Sequence, residues 1–299
     1  MPVIMVTKGD GPLKISVLSG KGGTGKTLVS VNLAAACRNA VYLDCDVEEP
    51  NGHLFFKPTN LTKTPVTVKI PLVDMDLCNG CRICIDFCKF HALAFVGSKL
   101  LVFEEICHSC GGCTLLCPQK ALSESDHPIG VIQSGFSESV KVVTGFLNPG
   151  ESTGIPIIKE IFAQLHTNSD PVLIDCPPGS ACTVMESIQD ADYCVLVAEP
   201  TLFGLHNLKM VHELVVLFNK PHGVVLNKCM PGNNPSEDYC REQGIKVLLE
   251  IPFDEAIGRL NSDGRILVRE KSEYQTLFEE LLKQISQEVA HETAVDLKW

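Results

Sequence analysis

From Lys14 onward the chain alternates two kinds of block. Residues 14–18 are mostly apolar and read as a strand, residues 20–25 as a glycine-rich loop, and residues 26 to about 38 as a helix with Val29, Leu33 and Ala36 on one face. An all-apolar strand at 40–43 follows and ends in acids. Strands that are apolar throughout are buried on both faces, so their alternation with helices predicts a parallel sheet covered on both sides. The pattern stops between about residues 66 and 131, where short strands, turns and cysteines take over, and resumes after about residue 156. Further strands are expected at 171–174, 193–198, 223–226 and 246–251, and helices at 205–218, 235–243 and 272–289. One α/β domain, residues 1–65 and 132–299, is thus interrupted by a small α+β domain at 66–131. The Pro/Thr-rich run 57–65 and the Gly/Ser-rich run 129–154 read as its junctions. On the last helix Tyr274, Leu277, Leu281 and Ile285 form a core-facing stripe, and its acidic polar face is unlike that of a basic membrane-surface helix.

Composition changes this picture at one point. The 299 residues are 45% apolar and 20% charged, which excludes a disordered or coiled-coil chain. A net charge of −11 sets the protein against direct contact with nucleic acid or anionic membrane. Fifteen cysteines is the outlying number. Residues 1–10 show no signal peptide and no stretch of 18 apolar residues occurs, so the thiols are expected in the cytoplasm, as free thiolates or ligands.

Eight of the fifteen lie in the interrupting segment as two sets: Cys78, Cys81, Cys84 and Cys88, then Cys107, Cys110, Cys113 and Cys117. Each member of the second set follows its counterpart by 29 residues, and the register continues through Ala92-Leu93 and Ala121-Leu122, an internal duplication. Zinc sites use pairs of cysteines two apart but do not call for a third plus a fourth three further on, twice. A cubane needs four thiolates, three from a tight loop and a fourth from the other set, whose fourth cysteine is expected to start a helix facing that cluster. The expected ligands are Cys78, Cys81, Cys84 and Cys117 for one [4Fe-4S] cluster, and Cys107, Cys110, Cys113 and Cys88 for the other. The segment resembles a bacterial two-cluster ferredoxin over about 50 residues. It departs at Lys89, where proline is usual, which is expected to alter the local turn and not the ligation.

The glycine-rich loop, Gly20-Lys21-Gly22-Gly23-Thr24-Gly25-Lys26-Thr27, satisfies the P-loop pattern between a strand and a helix. Its N–H groups would face phosphate oxygens, Lys26 would neutralise the β and γ phosphates, and Thr27 would ligate Mg²⁺. With Lys21 added, the loop resembles the deviant P-loop of the MinD/ParA family, which includes the nitrogenase iron protein and the Mrp-type cluster carriers. That resemblance implies a P-loop ATPase fold, ATP or ADP with Mg²⁺, and a homodimer when ATP is bound, Lys21 reaching the partner's phosphates. It also implies that Asp46, in Asp44-Cys45-Asp46, positions the attacking water while Asp44 supports the fold or the metal. Asp175 in Leu173–Gly179 would hold Mg²⁺ through water, the Gly179 N–H would sense the γ-phosphate, and Asn227 would read adenine.

The remaining residues carry less. Cys182, just past Asp175, is either an idle, buried thiol or half of a site bridging two subunits, with no second cysteine to assign. Cys37, Cys45, Cys176, Cys194, Cys229 and Cys240 read as packing, and no Cys-x-x-Cys, the pair Mrp-type carriers use, occurs outside the insert. His108 either faces a cluster or is simply exposed, and Glu104 and Glu105 read as a solvated turn. Together these features point to an ATP-driven dimeric switch exchanging electrons with a protein partner. A metallocluster assembly or carrier ATPase is the alternative, and a positioning ATPase of the MinD/ParA kind a third.

Overall fold

A computed structural model describes residues 7–8, 11–37, 39–165 and 170–296. After a small hairpin, β1 (Thr7–Lys8) and β2 (Gly11–Pro12), come β3 (Lys14–Leu18), α1 (Lys26–Ala36), β4 (Ala40–Asp44), α2 (Gly52–Phe56) and the long β5 (Thr59–Val73). The cysteine-rich segment holds α3 (Ile83–Phe87), the hairpin β6 (Leu93–Val96) and β7 (Lys99–Val102), a single 3-10 turn at Glu104–Ile106, and α4 (Gly112–Leu116). The chain returns through β8 (Leu122–Ser137) and β9 (Val140–Leu147). It continues with α5 (Ile155–Ala163), β10 (Val172–Asp175), α6 (Cys182–Ile188), β11 (Tyr193–Ala198), α7 (Leu202–Leu217) and β12 (His222–Cys229). Last come α8 (Pro235–Gln243), β13 (Val247–Pro252), α9 (Glu255–Ser262), α10 (Leu267–Glu270) and α11 (Ser272–Asp296).

Nine strands form one sheet in the order β13, β12, β11, β3, β10, β4, β9, β8, β5, parallel as far as β9 and antiparallel at the β8 and β5 edge. Every residue of β10 and β11 is buried, as expected for strands covered on both faces. On one face α1 and α11 pack Val29, Leu33, Phe278, Leu281 and Ile285; on the other α5, α6 and α7 pack Ile157, Ile161, Val184, Leu208 and Val211. The inward face of α11 is Phe278, Leu281, Leu282, Ile285 and Val289, so Tyr274 and Leu277 lie at the margin of the expected stripe. The end expected for the first helix, Arg38, and most of the N-terminal stretch read for a signal lie outside the described residues. Among the described residues no helix is long and apolar enough to cross a membrane.

The two runs read as junctions are strands. Residues 57–65 enter β5, and residues 129–154 contain the end of β8 and all of β9. Threonine favours strands, and β5 is the sheet edge, where Pro65 and Pro71 remove no needed donor. Gly145 is there for close approach: a Cβ would stand 2.7 Å from Val47 Cγ1 and 2.8 Å from Ile157 Cγ2. β5 and β8 thus make a ribbon, paired from Thr59↔Phe136 out to Val73↔Leu122, with the cysteine-rich segment at its far end.

The duplication extends to the backbone. α3 and α4 are offset by the same 29 residues, and so are the left-handed pairs Gly80 and Ser109, Arg82 and Gly111, His91 and Lys120. Asp74 donates its N–H to Ala121 O at 2.8 Å, and Phe103 its N–H to Ala92 O at 2.8 Å, each half closing on the other. The turn after Cys88 matches that after Cys117: His91 N–H reaches Cys88 O at 3.2 Å and Lys120 N–H reaches Cys117 O at 3.1 Å. Lys89 therefore leaves the turn unaltered, contrary to the sequence expectation, because the first position of such a turn accepts most residue types.

Candidate functional site

The P-loop joins the buried end of β3 to α1. Gly23 (φ 78°) and Gly25 (φ 99°) are left-handed, and a Cβ at Gly22 or Gly23 would meet nothing within 4 Å, so this stretch of backbone is open to an incoming group. Ser19 Oγ and Thr24 Oγ1 both donate to Lys21 O, at 2.8 and 2.9 Å, which sets the loop's curvature. Asn227 at the end of β12 donates Nδ2–H to Thr24 O at 2.8 Å, so one hydrogen of the amide expected to read adenine holds the loop itself.

Beneath the loop lies a cluster of opposite charges. Lys26 Nζ, buried, stands 2.6 Å from Asp175 Oδ1 and 3.5 Å from Asp46 Oδ2. Burial alone would lower the Lys26 pKa, but the Asp175 and Asp46 carboxylates outweigh it and raise it. Tyr42 O–H donates to Asp175 Oδ2 at 2.8 Å, fixing the carboxylate's second oxygen. Burial, with Asp175 adding to it and Lys26 opposing it, lifts Asp46 to about 6. Asp44 is fully buried and held well above the usual carboxylate range, chiefly by burial and by Asp175. It accepts from Gly52 N–H at 2.8 Å and Asp46 N–H at 3.3 Å, which makes it the brace of the loop that carries Asp46. Thr27 opens α1 beside Lys26. Gly179 (φ 93°) donates its N–H to Ser19 O at 2.9 Å, tying the segment after β10 to the start of the P-loop.

Lys21 does not project freely. Its Nζ lies 3.2 Å from Glu199 Oε2 and 4.7 Å from the centre of the Phe203 ring. Lys228 Nζ holds the other Glu199 oxygen at 2.6 Å and reaches Gly23 O at 2.8 Å. Burial works to raise the Glu199 carboxyl, but its bonds to Lys228 and Lys21 prevail and hold it low. Sequence reasoning missed Glu199, Phe203 and Tyr42, for their roles arise only when β4, β11 and β3 are brought beside one another.

At the ribbon's far end the eight module thiols divide between two recesses. One, of about 370 Å³, is lined by Cys78, Cys81, Cys84 and Cys117. The other, of about 420 Å³, is lined by Cys88, Cys107, Cys110 and Cys113. Cys84 and Cys113 are buried, Cys81 and Cys110 exposed, and all fifteen cysteines are free thiols. Among the described residues no three His, Cys, Asp or Glu side chains are arranged to hold a metal ion. Of the others, Cys45, Cys176, Cys194 and Cys240 are buried, as expected of packing residues, whereas Cys182 is exposed at the start of α6. Glu104 is paired, not merely solvated: its carboxylate lies 3.3 Å from His127 Nδ1, while Nε2 of the same ring meets Glu151 at 2.9 Å.

Comparison with known proteins agrees with the fold. An uncharacterized protein of Methanocaldococcus jannaschii is 29% identical over 92% of this chain and 97% of its own length. An iron-sulfur cluster carrier protein of the same organism is 24% identical over 92% of this chain and 84% of its own. The cell division ATPase MinD of Pyrococcus furiosus superposes with a TM-score of 0.58 at 20% identity, covering 92% of this chain and 98% of that one. Residues 15–268 match the CobQ/CobB/MinD/ParA nucleotide binding domain, from the strand before the P-loop to α10 and across the cysteine-rich segment. With its P-loop, buried acids and mostly parallel sheet, the chain belongs to that nucleotide-binding family.

Proposed function

We propose that this protein is a dimeric ATPase whose nucleotide cycle is coupled to one-electron transfer with a protein partner through two [4Fe-4S] clusters. The carrying observation is the sorting of eight thiols, four and four, into two recesses in the crossed sets expected from the resemblance to two-cluster ferredoxins. A cubane presents its thiolates at separate corners, unlike the common centre of a single ion, so four thiols spread around one recess suit it. The buried core of the segment is small, Leu93, Leu100 and Leu122 with Ala92, Ala121, Cys84 and Cys113, little to hold about 50 residues without a metal. Bound there, the clusters would supply one-electron storage.

At the nucleotide site the exchange of partners is the switch. Lys26 moves from Asp175 to the β and γ phosphate oxygens of ATP, and Thr27, with Asp175 through water, would hold Mg²⁺, which would neutralise phosphate charge. Asp46, a carboxylate with a raised pKa, orients the attacking water and takes its proton. Gly179 N–H leaves Ser19 O for the γ-phosphate, so hydrolysis returns it. Lys21 leaves Glu199 and crosses to the partner's phosphates, and the part of the Asn227 amide not bonded to Thr24 takes the adenine edge. The test is anaerobic: iron content after reconstitution, then potential and electron transfer rate with ATP, ADP and a non-hydrolysable analogue. Eight irons and nucleotide-dependent rates are expected; identical potentials and rates in all three conditions would refute the coupling.

A carrier reading has its own support in the 24% identical iron-sulfur cluster carrier protein. Incubation of the loaded protein with an apo-acceptor separates the two: transfer of iron favours the carrier, and retention of all iron favours electron transfer.

A further inference from the structure

The two thiol-lined recesses descend from one repeated unit, and they differ in two hydroxyls. Ser109 and Thr114 line the recess of Cys88, Cys107, Cys110 and Cys113. Ser109 Oγ is buried and has no hydrogen-bond partner among the described residues, and the buried Thr114 Oγ1 has none but the Cys113 sulfur beside it. A buried hydroxyl without a full partner is disfavoured, so each calls for an acceptor. Twenty-nine residues earlier the same positions are Gly80 and Ile85, which carry no hydroxyl.

The backbone sharpens the contrast. Gly80 has φ 73° and Ser109 has φ 52°, so the second half keeps a side chain in a left-handed conformation that its repeat gives to glycine. The turn itself does not require that side chain, and the exchange runs the other way at the next left-handed pair, where the first half has Arg82 and the second Gly111. The recesses' charged groups do not explain the difference. Arg82 lines the first recess and Glu124 the second, but both are exposed and screened by solvent. Lys69 of the second recess is paired with Asp126 at 2.9 Å, and the exposed His108 ring is stacked on Phe90 at 3.8 Å.

Resting on the cluster reading above, we propose that Ser109 and Thr114 make the two sites unequal. They donate to sulfur in the Cys88, Cys107, Cys110 and Cys113 site, so the cluster there accepts the first electron. Hydrogen bonds to cluster sulfur stabilise the more negative, reduced form and raise the potential. The step moves one electron from a low-potential one-electron donor; no covalent bond forms or breaks and no proton is transferred.

The test uses the full chain, reconstituted anaerobically and titrated against dithionite with redox mediators, followed by absorbance and electron paramagnetic resonance. Two one-electron waves are expected. The S109G/T114V variant should lower the reduction constant of the more positive wave about tenfold, a shift of about 59 mV, and leave the other in place. T114S should change neither wave, and I85T, which adds a hydroxyl to the first half, should raise the more negative one. If S109G/T114V fails to load iron, I85T decides alone. Eight irons with waves that ignore these substitutions, or that all move together, would overturn this inference only. A wild-type chain that binds no iron would overturn the cluster reading and this one with it.

Discussion

Asp46 carries more than one consequence at the level of single residues. Its carboxyl, raised from 3.8 to about 6, holds a proton more tightly in the folded chain than in the unfolded one. Its contribution to stability is therefore lost as pH rises from about 3.8 to about 6 and is constant above. Asp46→Asn should remove that slope in denaturant titrations at several pH values. The same substitution should cut ATP hydrolysis at least about 100-fold while leaving nucleotide binding in place. In the unsubstituted protein kcat/KM for hydrolysis, which reports the nucleotide-free enzyme, should fall as pH drops below about 6, since the base must be ionised. Glu199→Gln tests the clasp on Lys21. Each dimer releases two such partly exposed ion pairs, each worth at most ~1 kcal/mol, so loosening them should lower the protein concentration for analogue-induced dimerisation by up to about thirtyfold, read by analytical ultracentrifugation. The P-loop and Asp175 were legible in the sequence because local spacing carries them. Glu199 and Tyr42 were not, since each acts on a residue brought near only by strand order.

Among elements, the ribbon of β5 and β8 is where composition said least. Prolines, threonines and glycines marked the two runs as junctions without revealing that they are paired strands, since an edge strand tolerates proline and a crowded strand needs glycine. The 29-residue register of the cysteines carries through to α3 and α4, but the fourth cysteine of each set, expected to start a helix, instead ends one: Cys88 closes α3 and Cys117 closes α4. Because Val73 pairs directly with Leu122, the segment 74–121 can be replaced by a two-residue Asn-Gly turn. That deletion should fold, bind nucleotide with an unchanged affinity by calorimetry, and hold no iron. Loss of nucleotide binding would show that the segment supports the sheet.

For the whole molecule, the two large cores flank one sheet, and the third, around Leu93, Leu100 and Leu122, stands apart from them. Iron removal by a chelator under reducing conditions should therefore abolish hydrogen-exchange protection within 74–121 and spare β3, β10 and β11. The ribbon also sets a length. Asp44 of β4 lies level with Thr144 of β9 and Gln133 of β8, and β8 reaches the module at Leu122, eleven residues further along. At about 3.4 Å per residue that is roughly 37 Å. On the cluster reading proposed above, the clusters would sit a ribbon's length from the phosphate site. Any message between the two would then travel as movement of a hydrogen-bonded ladder, which would make the ribbon a lever arm and its stiffness the quantity that limits how faithfully one end reports the other.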